Sequence, residues 1–213
     1  MVKVMGFIDG FNLYHALTQE DEKGSRPYAK YRWLDYWKLT ECFLGPGDSL
    51  EAVHYFTAFV AWDSSAGKEK RERHQAFVEV QRDRNVKIIE GRFRPVWKQC
   101  KAVCKKRFQT YEEKRTDVNI AVTMLKLAVE NKFEKAILIT GDSDLIPALE
   151  AIRVVDASSR IMVVVPVGRT AIALSNQAHF VRRMKESHLK RCVLPQEVTL
   201  KNGVIIQCPE KWR

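Results

Sequence analysis

The sequence predicts an α/β fold in which a parallel sheet carries helices on both faces and a small β-hairpin forms the tail. Short, almost wholly apolar runs alternate along the chain with segments whose apolar residues recur at helical spacing. Such runs, when helices separate them, are typical of strands buried on both faces of a parallel sheet. The end of the chain differs, because two apolar runs flank Asn202-Gly203, a common hairpin turn. We therefore expect a core domain over residues 1–185 and an extension over residues 186–213.

The first half of the chain predicts three strands and three helices. Strands are expected at residues 3–8, 53–61 and 86–90. Helices are expected at residues 11–18, 33–43 and 68–84, because their apolar positions follow a helical period. The segment that follows, residues 92–111, shows no clear period, so neither a helix nor a strand is predicted there.

The second half predicts a helix over residues 116–131, with Thr116 as its N-cap. One buried stripe is expected on this helix, formed by Val118, Ala121, Val122, Leu125, Ala128 and Val129. The remaining elements are strands at residues 136–140 and 161–165, a helix at 144–154, and a hairpin of 198–200 with 204–206. Asn202-Gly203 favours a type I′ turn in that hairpin.

Composition narrows the class of protein. The 213 residues are 46% hydrophobic and 29% charged, which excludes disordered, collagen-like and rod-like chains. The 36 basic and 26 acidic residues give a net charge of +10, which favours a polyanionic partner, nucleic acid first. No apolar run approaches the ~18 residues of a membrane span. The absence of a secretory signal and the five scattered cysteines favour a reducing, cytoplasmic location.

Acidic residues collect at the sheet edge where parallel α/β proteins bind ligands. Asp9 ends the first strand, and Asp142 and Asp144 follow the fourth. Asp117 lies in the first turn of the helix predicted over residues 116–131, with Glu113 four residues before it. Carboxylates gathered in one place repel each other unless a cation intervenes. Mg²⁺ or Mn²⁺ with oxygen ligands relieves the repulsion and explains why no histidine lies near.

In a basic protein this combination favours hydrolysis of a phosphodiester by a metal-activated water. Each residue alone also has a structural interpretation, since Asp9, Asn12, Ser143 and Asp144 are all suitable helix N-caps. The collection of all the acidic groups at one edge favours the metal site over capping alone.

Three motifs of the chain resemble those of the NYN-domain family, a branch of the PIN-like nucleases. They are FIDGFNL at residues 7–13, EKRTDV at 113–118 and ITGDSD at 139–144, in the family's order. The resemblance covers most of residues 1–185 and implies a PIN-like, Rossmann-like sheet and a metal-dependent ribonuclease. The tail resembles the C-terminal extension of some bacterial members.

Residue roles also follow from the resemblance. It implies metal-site carboxylates at Asp9, Asp117, Asp142 and Asp144, with Asn12 as a metal or phosphate contact. Glu113 and Ser143, which lie within the same motifs, are further candidates.

Residues 92–111 combine seven basic residues and four aromatic ones with no acidic residue. The basic residues are Arg92, Arg94, Lys98, Lys101, Lys105, Lys106 and Arg107. The aromatic ones are Phe93, Trp97, Phe108 and Tyr111. Cations that follow a phosphate backbone and rings that stack on bases suit single-stranded RNA. The alternative is a solvated loop whose aromatic rings pack on the core.

Two functions stay open at this point. One is a Mg²⁺- or Mn²⁺-dependent endoribonuclease that acts on RNA. The other is a catalytically inert PIN-like module that binds RNA or a protein partner. The presence of all four aspartates favours the enzyme. No membrane partner is expected, a homodimer is left open, and Cys100 and Cys104 are taken as free thiols in preference to a zinc site.

Overall fold

The computed structural model describes residues 1–62, 64–100 and 104–213. At the centre of the protein lies a sheet of six parallel strands. They are β1 (Val2–Asp9), β2 (Asp48–Thr57), β3 (Val86–Glu90), β6 (Lys135–Ile139), β7 (Arg160–Val165) and β8 (Phe180–Arg183). Across the sheet their order is β3-β2-β1-β6-β7-β8. The predicted α/β fold with a parallel sheet is confirmed.

Helices cover both faces of the sheet. One layer consists of α1 (Gly10–Thr18), α2 (Tyr36–Glu41), α3 (Ser65–Asp83) and α7 (Glu186–Arg191). The other consists of α4 (Thr116–Val129), α5 (Ile146–Val155) and α6 (Ile172–Asn176). Each layer buries its own hydrophobic cluster against the sheet, with Trp33 and Phe77 in the first and Phe56 and Met124 in the second. The central strands β1, β6 and β7 are apolar on both faces for this reason.

Two antiparallel hairpins lie outside the parallel sheet. The first pairs β4 (Arg92–Gln99) with β5 (Arg107–Lys114) and leads into α4. The second pairs β9 (Glu197–Thr199) with β10 (Ile205–Gln207) in the tail, as predicted. The tail hairpin packs into the first hydrophobic cluster through Val198 and Ile206.

The first hairpin was not predicted from the sequence. Arg92, Phe93 and Arg94 begin a strand in which cations alternate with other side chains. That alternation is a strand period, but it lacks the aliphatic residues that mark the buried strands. Residues 92–99 and 107–111 therefore belong to a two-stranded ribbon and not to an irregular loop.

Two predicted boundaries in the first half are wrong. The second strand runs over Asp48–Thr57, not 53–61, because its polar first residues pair with β1 from Val2 onward. The second helix begins only at Tyr36, where the Asp35 carboxylate accepts a hydrogen bond from Lys38 N at 3.0 Å as an N-cap. Leu34 instead forms an isolated bridge to Val193 in the tail.

The predicted buried stripe of α4 is wrong in part. Val118, Val122 and Val129 are 63%, 60% and 59% exposed. The buried positions recur every fourth residue and include Ile120 and Met124. The helix carries apolar residues on both sides, so its period alone does not tell which side faces the sheet.

Two further details of the second half differ from expectation. The predicted helix over 144–154 is a 3₁₀ turn at Ser143–Leu145 followed by α5. The tail hairpin closes with Gly203 N donating to Leu200 O at 2.9 Å, and within that loop Gly203 has a positive φ of 83° while Asn202 does not. A type I′ turn needs positive φ at both central residues, so that turn type is wrong. The edge strand β8, whose residues are all exposed, was not predicted.

Candidate metal centre

Three carboxylates meet at the carboxyl edge of the sheet, where β1 and β6 lie side by side. Asp9 ends β1, Asp142 follows β6, and Asp117 lies in the first turn of α4. One carboxylate oxygen of each lies within 4.8 Å of the others. From β1 the sheet extends to β2 on one side and to β6 on the other, and such a switch point forms the crevice that binds ligands in α/β folds.

Asp9 is buried and held by two hydrogen bonds. Its Oδ1 accepts from Asn12 N at 3.0 Å, which makes it the N-cap of α1. Its Oδ2 accepts from Thr140 Oγ1 at 2.8 Å. Burial raises the pKa of Asp9, the hydrogen bonds from Asn12 and Thr140 lower it in part, and the charges of Asp142 and Glu113 raise it again. The two hydrogen bonds hold the carboxylate in position, while burial and the neighbouring negative charges destabilise its ionised form.

Asn12 connects the ends of the two central strands. Its Oδ1 accepts from Gly141 N at 2.9 Å. Asp142 N in turn donates to Thr140 Oγ1 at 3.1 Å, and Asp142 Oδ1 accepts from Asp144 N at 2.9 Å. The Asn12 oxygen is engaged with the backbone of the loop that follows β6, so Asn12 positions Asp142 relative to Asp9.

Asp117 is half-buried and stands among like charges. Burial, as the largest cause, and the charges of Asp9, Asp142, Glu113 and Asp144, in that order, together raise its pKa to about 6. Each of these neighbours disfavours the ionised form. The raised pKa of Asp117 therefore reflects its burial first and the neighbouring carboxylates second.

Glu113 lies at the end of β5 and not on the helix. It accepts hydrogen bonds from Thr116 N at 3.0 Å and from Thr116 Oγ1, while Arg115 takes a left-handed conformation with φ of 84°. Thr116 is thus the first residue of α4, and the prediction that it caps the helix is wrong. Gly91 is required beside this turn, because an added Cβ would lie 2.8 Å from Glu113 Oε1.

Asp144 and Ser143 lie on the exposed rim of the site. Asp144 is outside the group of three carboxylates, although its charge contributes to the raised pKa of Asp117. The predicted cluster of four aspartates is thus three close carboxylates with Asp144 beside them.

The donor set fits a hard divalent cation. Within the described ranges, no lysine or arginine forms an ion pair with Asp9, Asp117 or Asp142. The three offer only carboxylate oxygens, the ligands preferred by Mg²⁺ and Mn²⁺. A bound cation would neutralise the repulsion that the raised pKa of Asp117 reports.

The NYN domain family matches residues 3–184 of the chain. The chain belongs to this family. An NYN domain has a nuclease-like, RNA-related fold, which agrees with the acidic group at the sheet edge.

Two other comparisons are informative to different degrees. A curated relative, the 6-hydroxy-3-succinoylpyridine 3-monooxygenase HspA of Pseudomonas putida, is 27% identical over 97% of this chain and 74% of its own length. A crystal structure of a protein of unknown function from Vibrio parahaemolyticus superposes with a TM-score of 0.54. It is 14% identical and covers 87% of this chain and 94% of that one, so it supports the fold alone. No helix among the described residues has the length and apolar character to cross a membrane.

The predicted basic residues of the NYN domain are divided between the two sides of the β4-β5 ribbon. The pairing places Arg92, Arg94 and Lys98 on one face and Arg107 on the other. Lys98 pairs with Glu112 at 2.9 Å, a charge that lies just beyond the segment counted from the sequence. Lys105 and Lys106 lie in the connection between the strands, and Lys101 lies outside the described residues.

The four aromatic residues of the ribbon also divide into two pairs. Phe93 and Tyr111 pack inward against Trp62, with ring centroids 5.5 and 4.9 Å away. Trp97 and Phe108 are 63% and 48% exposed. The first pair is thus held half-buried against the body of the protein, whereas the second pair is open to solvent at the outer end of the ribbon.

Two features of the site were missed in the sequence. Arg169 follows β7 at the same sheet edge, with its Cβ 3.7 Å from a methyl added at Gly141, and its Nε is buried without a hydrogen-bond partner. The strand-end rule that found the aspartates would have found Arg169 had it been applied to basic residues. The second feature is a cavity of about 740 Å³ beside the carboxylates, whose walls come from segments far apart in sequence.

Proposed function

We propose that this NYN domain is a metal-dependent endoribonuclease that hydrolyses phosphodiester bonds of RNA. The observation that carries the proposal is the group of three carboxylate oxygens within 4.8 Å of one another, unpaired by any described cation, at the ligand-binding edge of a nuclease-like fold. The net charge of +10 supports a polyanionic substrate.

Asp9, Asp117 and Asp142 would hold the cation, Mg²⁺ or Mn²⁺. When bound, such a cation supplies Lewis acidity, which lowers the pKa of a water and neutralises charge on phosphate oxygens. Asn12 and Thr140 keep the carboxylates in place through the hydrogen bonds described above. Arg169 offers a positive charge for a phosphate oxygen at the same edge, since no carboxylate of the described residues pairs with it.

The β4-β5 ribbon supports single-stranded RNA as the substrate. Arg92 and Arg94 lie on one face, while exposed Trp97 and Phe108 offer rings near its outer end. The ribbon joins the site directly, because β5 carries Glu113 just before its end at Lys114 and α4 carries Asp117 in its first turn. RNA held by the ribbon would therefore reach the carboxylates.

The activity named for the Pseudomonas putida relative is not a better candidate for the function of this chain than RNA cleavage. At 27% identity its pyridine substrate does not transfer to this chain, and the acidic group is the chemistry that the fold places at the expected edge. The inert-module alternative lacks support from the site, because the three close carboxylates are all present.

Single-turnover cleavage of a single-stranded RNA tests the proposal. Wild-type protein should cleave with Mg²⁺ or Mn²⁺ and not with EDTA. Asp142→Asn keeps the N-cap hydrogen bond to Asp144 N while it removes a metal-site charge, so the variant should fold and bind RNA but cleave more than about 100-fold more slowly. Absence of cleavage by wild type with either metal, or equal cleavage by the variant, would overturn the proposal.

A further inference from the structure

The cavity of about 740 Å³ adjoins the metal centre through two of its lining residues, although Asp9, Asp117 and Asp142 are not among the residues that line it. Gly10, which directly follows Asp9, and Glu113, which raises the pKa of Asp117, both line it. The cavity lies on the α1–α3 side of the sheet, and the β4-β5 ribbon forms one of its walls. Its volume is in the range of sites that enclose a small organic ligand, about 300–1,000 Å³.

Aromatic rings form the walls of the cavity. Phe11 and Tyr14 come from α1, Phe93 and Tyr111 come from the ribbon, and Trp62 follows β2. Phe93 contacts both Phe11 and Trp62, with ring centroids 5.5 Å away in each case. These rings are half-buried, so each presents part of its surface to the cavity. Such walls favour a flat aromatic ligand.

Polar groups stand at the inner end of the cavity. His74 Nε2 lies 3.0 Å from Thr57 Oγ1 and 3.2 Å from Tyr55 Oη. Burial lowers the pKa of His74 to about 4, with a smaller effect from Lys70, so the ring is neutral at neutral pH. A neutral imidazole with two hydroxyl groups can donate to and accept from the polar edge of a heterocycle.

Positive charge lines the cavity near the aromatic walls. The Lys70 ammonium lies 6.0 Å from the centroid of Tyr14 and 5.7 Å from that of Trp62. No carboxylate of the described residues pairs with Lys70. His15 also lines the cavity, and the charges of Arg169 and Lys70 lower its pKa after burial, the larger cause. This lining suits an aromatic ring that carries an anionic group.

We propose that the cavity binds one unstacked nucleotide of the RNA, with its base between the aromatic walls and its phosphate toward the carboxylates. This inference rests on the proposed function. The presence of Gly10, the neighbour of Asp9, and of Glu113 in the lining favours a nucleotide over a free aromatic acid, because the phosphate of a nucleotide can extend from the cavity toward the carboxylates. Enzymes that take a base out of its stack hold it in this way, by aromatic packing and hydrogen bonds to its edge.

Calorimetric binding of nucleoside 5′-monophosphates tests the inference without any phosphodiester to cut. AMP and UMP, with Mg²⁺ present, should bind at least 10-fold more tightly than ribose 5-phosphate, which lacks a base. Phe93→Ala should weaken binding about 5- to 100-fold, the range for loss of one stacking partner. Lys70→Gln, on an exposed stretch of α3, should also weaken it. Phe180→Ala removes a ring that is 44% exposed on the edge strand β8, away from the cavity, and should change nothing.

Three results would overturn the inference. Equal binding of ribose 5-phosphate would mean that the base is not recognised. Unchanged affinity in both Phe93→Ala and Lys70→Gln would place the nucleotide elsewhere. Tighter binding of nicotinate, with the same sensitivity to the variants, would assign the cavity to a small aromatic acid.

Cleavage distinguishes the two proposals. If wild type fails to cleave RNA while nucleotides bind as predicted, the ribonuclease proposal fails and the nucleotide site stands. If wild type cleaves while the variants leave nucleotide binding unchanged, the ribonuclease proposal stands and the cavity assignment fails.

Discussion

Asp9 shows how one side chain serves both interpretations that its position allows. It caps α1 through Asn12 N, and it also presents a carboxylate to Asp117 and Asp142. Capping uses Oδ1 and the bond from Thr140 uses Oδ2, and each oxygen has a further lone pair for a cation. An aspartate at the end of a strand can therefore cap a helix and bind a metal at the same time. Its position in the sequence alone does not tell which of the two roles it has.

Asp117→Asn should make metal-free protein more stable at neutral pH. The raised pKa of Asp117, about 6 against an ordinary 3.8, means that its contribution to stability is complete below pH 3.8 and is lost as the pH rises through 6. The gain at pH 8 should be below about 3 kcal/mol, since one pKa unit is worth about 1.4 kcal/mol and solvent screens a half-buried group. Urea unfolding in EDTA from pH 4 to 8 measures it.

Asp156→Asn is the matched control for that experiment. Hydrogen bonds from Ser158 and Ser159 lower the pKa of Asp156, so this carboxylate stabilises the fold as the pH rises and its loss should act in the opposite direction. If Asp117→Asn gives a difference from wild type that does not vary with pH, the crowding of carboxylates at the site is contradicted.

At the scale of helices and strands, an element was predictable from the sequence wherever its pattern of apolar residues had one interpretation. The apolar runs of β1, β6 and β7 identify strands buried on both faces, and the strand-end rule brings Asp9 and Asp142 together. The β4-β5 ribbon and the orientation of α4 were not predictable in this way. The ribbon is an exposed pair without an aliphatic face, and α4 has apolar residues on two sides.

Substitutions on α4 test the orientation that the structure assigns. Met124 is fully buried, so Met124→Ala should lower the free energy of unfolding by about 2–5 kcal/mol. Val122 is 60% exposed, so Val122→Ala should change it by less than about 0.5 kcal/mol. Urea unfolding of both variants decides between the two sides of the helix, and a larger loss at Val122 would mean that the exposed side is covered in solution.

Charge reversal on the ribbon tests its part in RNA binding. Arg92→Glu with Arg94→Glu should weaken binding of single-stranded RNA and flatten its salt dependence, by about 0.7 in log–log slope for each phosphate that the protein no longer neutralises. Arg182→Glu with Arg183→Glu, on the exposed edge strand β8, is the control of equal charge change. RNA-binding isotherms of both double variants, taken from about 50 to 300 mM salt, make the comparison. Equal losses of affinity in the two would mean that the ribbon contributes only its share of the net charge and no specific contact with RNA.

At the scale of the whole molecule, the tail contributes to the core of the NYN domain. Trp33 Nε1 donates to Pro195 O at 2.8 Å, and Trp212 lies 6.2 Å from Trp33 and 5.8 Å from Phe77 between ring centroids. The sequence showed a change of pattern near residue 185 and suggested an appendage. It did not show that the appendage covers the aromatic cluster, because that packing joins segments at opposite ends of the chain.

Truncation after Lys185 should therefore prevent stable folding. The loss uncovers buried Trp33 and Phe77 and removes core residues such as Leu189 and Val198. Truncation after Cys208 removes only the last turn and should give a folded protein with a lower Tm. Circular dichroism and thermal unfolding compare the two, and an unchanged Tm for residues 1–185 would show that the tail is a separate unit.

The cavity is the feature that no local pattern in the sequence could have predicted. Its walls bring together α1, the end of β2, the ribbon and the tail, and its lining includes Phe11, Trp62, Phe93 and Trp212. The motifs around it identify the acidic centre because the strand ends are adjacent in any such sheet. The cavity depends instead on how the ribbon folds back over α1.

Binding of Mn²⁺ tests the central claim most directly. Calorimetric titration at neutral pH should give a site in wild type that is lost, or weakened by more than about 100-fold, in Asp117→Asn and in Asp142→Asn. Asp144→Asn, beside the group of three, should retain the site with a smaller loss. Equal Mn²⁺ affinity in wild type and in both of the first two variants, or no binding by wild type, would contradict a metal centre at Asp9, Asp117 and Asp142.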